Sequence, residues 1–553
     1  MKRYIKIAFV TTIFMLVLGV TGVIALSGLS RESKKEEQNK ELRELDFVNS
    51  QNEKQEIKEH SVTTLSAGAG NLKQFETEKT DTVYSVSHSD KVMKQLNKWK
   101  KREKYTFKNP LFAENPFGTN TLGLYVYWES SKKSYLSYTI QTEGEEIANF
   151  NRTVYEDTPD NLGVTHEHQI IGLVPGKINY LILRECNADG TVEDSAVYKI
   201  NLTGHALSKE AQLANDGISE SHLPERGLYA IAGKSYLYFY DNSGILRAAI
   251  PVEGKHGFHV EEMENEMLFS YGTGKYAVLS GIGRVNKIVK LSSRYIDEQE
   301  YVYNGYGQIW LIASEKKGKT KKDQIVSLDI NTGKTKSLID MKKLWKKVYQ
   351  KKKGKDWIGL NSLALSGSSD IIVSSKTFSS LIKINGITGY TPGIQYVIAE
   401  DKTLSSVSSV KKKLLHKSSY ENGAWSEKKG TFRALYHPCS VVKVDDHSLG
   451  EGQYYIVLYN KSKDGKTAGY YQLLIDENAG NYALADKSEL PYSETGGSVQ
   501  LLGENRIAFS NTKKSLSEYD QTGYRIQSFD LSQLSIGRLT ESRKYTMDKI
   551  WFQ

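Results

Sequence analysis

Leu237-Tyr238-Phe239-Tyr240-Asp241-Asn242-Ser243-Gly244-Ile245-Leu246-Arg247-Ala248-Ala249-Ile250 reads as two short β-strands joined by a turn centred on Asp and Gly. Aromatic and aliphatic side chains suit a pleated surface, Asp ties down its own backbone, and Gly tolerates positive φ. The pattern recurs at Ile325 to Ile339 around Gly333, at Leu381 to Ile387 running on past Gly389, and again around Gly480 and Gly523. Successive glycines are 89, 56, 91 and 43 residues apart. These intervals fit one or two units of roughly 45 residues, the size of a four-stranded propeller blade. Strands around Ile288 to Leu291, and others just before His437, are expected to fill the two long intervals. The expectation is an all-β chain with a six-bladed β-propeller over residues 225–553. An array of β-sandwiches is the alternative, and it predicts less regular hairpins.

Upstream the pattern changes. Between about Thr82 and Leu202, alternating strands such as Leu122 to Trp128 and Ser134 to Ile140 predict a small β-sandwich domain over residues 81–205. Residues 31–80 are rich in Glu, Lys, Gln, Asn and Ser and read as a stalk, with Ser66-Ala67-Gly68-Ala69-Gly70 as linker. At 553 residues the chain exceeds the about 250 to 300 residues of a single core, so two folded units are expected. Its 35 tyrosines against 9 prolines favour strands.

Lys2, Arg3 and Lys6 precede an uncharged run from Ile7 to Ser30. Twenty such residues rise about 30 Å as a helix, enough to cross a bilayer. The basic flank stays cytoplasmic, so residues 1–30 are expected to be a single-pass transmembrane signal anchor with the bulk of the chain extracytoplasmic. A cleaved signal peptide is the competing reading, but Ala25-Leu26-Ser27 is a poor cleavage site.

Between Lys316 and Lys355 stand fifteen lysines against Asp323, Asp329 and Asp340, a local balance of +12 in a chain of +9. One lysine-rich insertion therefore makes the protein basic. Outside a membrane this points to anionic wall polymers or lipid headgroups, not nucleic acid. Met341, Leu344, Trp345 and Val348 follow helical spacing, so one face is expected to pack inward and the lysines outward. Cys186 and Cys439 are too few for a disulfide framework or a thiolate metal site, and sequence leaves open whether they pair.

Propellers bind ligands at the central channel, at the start of the innermost strands. Three segments precede strands that would begin a blade: Gly254-Lys255-His256-Gly257-Phe258-His259, Asp356-Trp357-Ile358-Gly359-Leu360-Asn361-Ser362, and Tyr436-His437-Pro438-Cys439. No glycine-rich phosphate loop or metal-ligand spacing stands out, so no cofactor is expected.

Asn115-Pro116-Phe117-Gly118-Thr119-Asn120-Thr121-Leu122 and Glu167-His168-Gln169-Ile170-Ile171-Gly172-Leu173-Val174-Pro175-Gly176 resemble two signatures in the N-terminal domain of bacterial arylsulfate sulfotransferases. Asp356-Trp357 through Asn361-Ser362, followed by Ile371-Ile372-Val373-Ser374-Ser375-Lys376, resembles the family's D-W-x-H-x-N-S and I-I-x-S-S-R segments. Gly497-Ser498-Val499-Gln500 is similar to its late G-x-V-Q turn. The resemblance spans about residues 100 to 545. It implies transfer of a sulfuryl group from a phenolic sulfate donor to a phenol acceptor, without a nucleotide donor, through a covalent sulfohistidine.

On the same resemblance His437 is the nucleophile, His259 an assisting catalytic histidine, and Lys376 stands for the family's arginine. His256, Asn361 and Trp357 fall to substrate binding. Gly359 stands where the family has a second histidine, so one donor is missing. The alternative is a catalytically impaired propeller that binds phenolic or sulfated ligands or wall polymers at the cell surface; a third reading is a protein-interaction platform.

Overall fold

The turn at Gly244 shows how the Asp-to-Gly signal works. Asp241 Oδ1 accepts the backbone N–H groups of Ser243 and Ile245 at 2.8 and 3.0 Å, and Gly244, at φ +73°, turns the chain where a side chain would strain it. The flanking strands, Tyr236–Tyr240 and Leu246–Pro251, pair antiparallel as the outer half of a four-stranded sheet. The computed structural model describes residues 57–547 apart from 59, 77, 145–146, 155–161, 218, 220–221, 254–258, 390, 422–423 and 537–541; of residues 299 and 427–429 only the backbone is described. The expected anchor at residues 1–30 and the stalk up to residue 56 lie outside the described residues. Among the described residues no helix is long and apolar enough to cross a membrane.

Comparable hairpins recur in six sheets, the blades of a propeller, with further strands outside them in blades 5 and 6. From the inside out, blade 2 runs Val260–Met263, Glu266–Gly272, Lys275–Ser280 and Val285–Lys290. Blade 3 runs Tyr295–Tyr303, Gln308–Glu315, Gln324–Asp329 and Thr335–Asp340. Blade 4 runs Leu360–Leu365, Ile371–Ser375, Ser380–Asn385 and Gly393–Ile398. Blade 5 begins at Cys439–Val444 and blade 6 at Ser498–Leu502. The strands around Ile288 thus belong to a blade of their own. Those before His437 do not: His416–Glu421 pairs parallel with Asn481–Pro491 and, with Ala424–Lys429, widens blade 5. That hairpin and two short helices, Lys402–Ser405 and Ser408–Lys411, lengthen the interval before Gly480.

Blade 1 closes the ring. Its innermost strand is the last among the described residues, Arg543–Thr546, paired antiparallel with Gly227–Ala232. Lys544, wholly buried, donates to Glu518 Oε2 of blade 6 at 2.7 Å and to Tyr229 Oη of blade 1 at 3.0 Å. Burial pushes its ammonium down to about 8 although Glu518 opposes that shift. Glu518 also accepts from the Glu225 backbone and from Asn505 Nδ2, each at 2.7 Å.

The N-terminal domain is a small sandwich folded around one long strand, Leu124–Thr142. Its first half pairs with Leu111–Glu114 and Gly163–Ile170, and its second half with Phe150–Thr153 and Ile178–Cys186. Two stretches expected in the stalk are strands of this domain. Val62–Thr64 pairs parallel with Val192–Asn201, and Leu72–Lys73 with Leu111–Glu114. The Ser66–Gly70 stretch between them is a hydrogen-bonded turn, with Gly70 N–H on the Ala67 carbonyl at 3.0 Å. Helix Val86–Lys100 packs Val92 and Leu96 inward, an element the alternating pattern did not suggest.

Both N-terminal signatures sit on the seam with blades 1 and 2. Thr119 Oγ1 donates to the Gly283 carbonyl at 2.5 Å, and the Thr121 N–H donates to the Ala249 carbonyl at 2.8 Å. Gly172, at φ +103°, donates to the Arg247 carbonyl at 2.8 Å; a Cβ there would stand 2.3 Å from the Phe150 ring. Arg247, fully buried, returns bonds to the carbonyls of Gly172 at 3.0 Å and Ala148 at 2.8 Å, and pairs with Asp241 at 2.6 Å. The same aspartate that shapes the Gly244 turn thereby holds the arginine that holds the sandwich. Arg247→Met removes the donor to Asp241 Oδ2 and to the Gly172 and Ala148 carbonyls at a buried position, so a loss of about 3 kcal/mol in denaturant unfolding is expected. Lys334→Met, on the surface, is expected to change stability by less than about 0.5 kcal/mol.

Candidate functional site

The loops that enter the innermost strands of blades 4 and 5 meet at one end of the channel. Tyr436-His437-Pro438 leads into Cys439–Val444, and Asp356 to Gly359 leads into Leu360–Leu365. Three non-glycine residues with left-handed φ gather here: Ser379 at +47°, His437 at +46° and Ser440 at +52°. Such strain costs on the order of 1 kcal/mol or more each, and persists where the surroundings dictate it. Here they do. The His437 N–H donates to Ser379 Oγ at 3.3 Å, and Ser440 Oγ donates to the Val499 carbonyl at 2.8 Å. Asn361 Nδ2 donates to the Pro438 carbonyl at 3.1 Å and is itself oriented by Ser374 Oγ at 2.9 Å.

The His437 imidazole stacks on the Tyr436 ring, centroids 4.0 Å apart. Tyr436 is fixed at both backbone ends: its N–H donates to Asn460 Oδ1 at 2.8 Å, and its carbonyl accepts from the Lys461 N–H at 3.0 Å. Burial, then the ammonium groups of Lys376 and Lys461, push His437 down to about 4. The ring is therefore an uncharged base at neutral pH. Lys376 is exposed, whereas Lys461 is 7% exposed and donates to the Glu494 carbonyl at 3.0 Å. Burial lowers the Lys461 pKa and Lys376 adds to that, against the opposing pull of Cys439. A neutral imidazole beside two cations is chemistry for an anionic electrophile: the base is free to attack while the cations take up charge on oxygen.

The structure brings together His437, Lys376 and Asn361 of the residues expected from sequence. Trp357 is a correction. It is 1% exposed, donates its indole N–H to the buried Asp323 at 3.1 Å and packs edge-on against Tyr349, so it is core and not a substrate contact. His259 opens blade 2, three blades round the ring from blade 5. It is wholly buried, stacked on Tyr301 with centroids 4.2 Å apart, and its Nε2 lies 2.7 Å from Glu261 Oε1. His256 lies outside the described residues. His447, exposed beyond the far end of strand Cys439–Val444, is at the opposite end of the blade from His437.

Gly359 is more than a missing imidazole. Its φ is +57°, its carbonyl accepts the Lys376 N–H at 3.0 Å, and a Cβ would meet Thr377 Oγ1 at 3.1 Å. Lys461 was not legible in sequence, being one lysine among many at the end of an ordinary strand, Gln453–Lys461. Its only signal is that a charge closes the run Tyr454 to Tyr459 at a buried position. Cys186 and Cys439 are both buried and form no disulfide, and Cys439 Sγ donates to the Gly497 carbonyl at 3.4 Å.

Residues 218–536 match the family model described as Arylsulfotransferase (ASST), and residues 111–203 match the Arylsulfotransferase Ig-like domain. Among solved structures, virginiamycin B lyase from Staphylococcus aureus is similar at 11% identity over 58% of this chain and 84% of its own, with a TM-score of 0.30. The periplasmic gluconolactonase of Pseudomonas aeruginosa is similar at 9% identity over 75% of this chain and 99% of its own, with a TM-score of 0.31. No curated protein matches the chain in sequence.

A histidine titration by NMR is expected to place His437 near pH 4, uncharged from pH 5 to 8. Lys376→Met and Lys461→Met each raise that value without restoring 6.5, because burial is the larger cause. Unfolded chains take up this proton near pH 6.5 and the folded protein near 4, so acidification through that window weakens folding. A His437 resonance titrating at or above 6.5 contradicts the assignment.

Proposed function

The chain belongs to the arylsulfotransferase family, and from that premise we propose that it moves a sulfuryl group from a phenolic sulfate ester to a phenolic acceptor through a sulfohistidine at His437. The observation that carries the reading is the His437 loop, held in a left-handed turn by Ser379 and Asn361, with Lys376 and Lys461 near enough to lower the imidazole pKa. A ring nitrogen lone pair forms an N–S bond to the bound sulfate ester. The S–O(aryl) bond breaks and its electron pair leaves on the phenolate oxygen. In the second half the acceptor oxygen attacks sulfur, the N–S pair returns to the imidazole, and the acceptor's proton goes to a phenolate or to solvent. Like phosphoryl transfer, such a step depends mainly on positioning and charge stabilisation. Lys376 and Lys461 supply that charge as two point cations, in place of one planar guanidinium fork. Asn361 positions the His437 loop through the Pro438 carbonyl. His259 is wholly buried against Tyr301 and Glu261 and is given no part in these steps.

A second reading is favoured by Gly359. With a glycine in a left-handed turn where the family's second histidine is expected, the site is one donor short, and the propeller would then bind phenolic or sulfated ligands without turnover. Losing one such donor costs on the order of a hundredfold in rate. In either case the apolar run Ile7 to Leu26 is proposed as a single-pass membrane anchor that leaves the propeller extracytoplasmic, and the 316–355 lysines as a contact for anionic wall polymers.

Release of p-nitrophenol from p-nitrophenyl sulfate is expected to require added phenol and to be abolished by His437→Ala. Lys461→Met is expected to lower kcat about a hundredfold or more, with a smaller effect on KM. Binding of phenyl sulfate in calorimetry with no release under any acceptor would establish the second reading instead.

A further inference from the structure

The lysine-rich stretch from residue 316 to 355 is not one insertion. Residues 316–322 form a hairpin loop of blade 3, Gln324–Asp329 and Thr335–Asp340 are ordinary blade strands, and residues 341–355 form the connection to blade 4. In that connection Met341, Trp345 and Val348 are buried, each at most 4% exposed, and Leu344 packs partly buried beside them. Seven lysines between residues 341 and 355 are exposed, and the segment holds no acidic residue.

A second cationic segment adjoins it. The short helices of residues 402–411 bury Leu404, Val407 and Val410 in the same hydrophobic cluster as Trp345 and Val348. Lys351 Nζ crosses between the segments to the Ser406 carbonyl at 3.1 Å and to Ser406 Oγ at 2.9 Å. Lys402 and Lys411 to Lys413 are exposed, again with no acidic residue among residues 402–413. Asp401, just before, is engaged as the cap that accepts Thr403 and Leu404 N–H groups.

We infer that residues 341–355 and 402–413 form one composite site for a linear polyanion with closely repeated phosphate charges. This deepens the reading of the lysine-rich stretch as a polymer contact and is independent of the transferase reading. The chemistry of the face selects the class. No arginine occurs between residues 295 and 432, so the face offers hydrated point charges that track a flexible backbone, not planar forks that grip one carboxylate or phosphate group in a fixed pose. Its apolar residues are turned inward, and none of the large exposed hydrophobics lies in either segment. A surface that inserts into lipid needs apolar or aromatic side chains at its rim, and this one has none. Charge in a chain of repeated phosphates is gathered by releasing its counterions, which favours many lysines on one face.

The test uses the full-length protein in detergent and linear inorganic polyphosphate as the probe, with affinity measured against salt. Two triple variants separate the segments: Lys352→Gln, Lys353→Gln and Lys355→Gln in one, Lys411→Gln, Lys412→Gln and Lys413→Gln in the other. Each is expected to weaken binding about tenfold and to flatten the salt slope by about two, and the six changes together to abolish binding. Unchanged binding in the 411–413 variant, with loss in the 352–355 variant, overturns the composite site while leaving the contact at the first segment intact. No polyphosphate binding by the unaltered protein overturns both. Tighter binding to phosphatidylglycerol vesicles than to polyphosphate assigns the face to a membrane and overturns the polymer. Near-UV circular dichroism and an unchanged thermal midpoint report separately that each variant is folded.

Discussion

The ring depends on one buried ion pair. A propeller's sheets are held in order only if the last blade finds the first, and here the chain does it by sending Arg543–Thr546 back into blade 1. Burying an ammonium and a carboxylate costs several kcal/mol unless every lone pair and proton finds a partner. Lys544 and Glu518 satisfy that condition through Tyr229, Asn505 and the Glu225 backbone, all drawn from blades 1 and 6 and the segment that leads into blade 1. The pair therefore also specifies register, since a strand shifted by one residue would turn Lys544 out of the core. Only in the closed ring do the entry loops of blades 4 and 5 present their residues at one end of the channel.

The blades were legible because the Asp-to-Gly turn has a local cause. Asp241, Asp329, Asp476 and Asp520 each accept backbone N–H groups in the turns that lead to Gly244, Gly333, Gly480 and Gly523. Parallel pairings carry no such signal, so the strands at Val62–Thr64 and Leu72–Lys73 read as stalk, and His416–Glu421 read as a blade. The two N-terminal signatures were legible as a family pattern but not as an interface, since their partners at Arg247, Ala249 and Gly283 lie far off in sequence.

The site was half legible. His437, Lys376 and Asn361 come from motifs whose spacing survives in three dimensions. Trp357 shared a motif with Asn361 but lies in the loop before strand Leu360–Leu365, where its indole is buried against Asp323. Lys461 could not be singled out by sequence, for its meaning lies in being buried beside His437 and Lys376. Gly359, where the resemblance leads one to expect a histidine, is a glycine in a left-handed turn that accepts the Lys376 N–H, and Lys461 brings a second cation to His437 from blade 5.

The central claim is that the uncharged His437 ring takes a sulfuryl group. Incubating the protein with 4-methylumbelliferyl sulfate in the absence of any phenol, quenching in base and mapping peptides by mass spectrometry tests it most directly. One sulfuryl group is expected on the peptide containing His437, lost on addition of phenol and on brief acid treatment, and never formed by His437→Ala. Turnover without any adduct on that peptide, or an adduct that persists in the alanine variant, contradicts it.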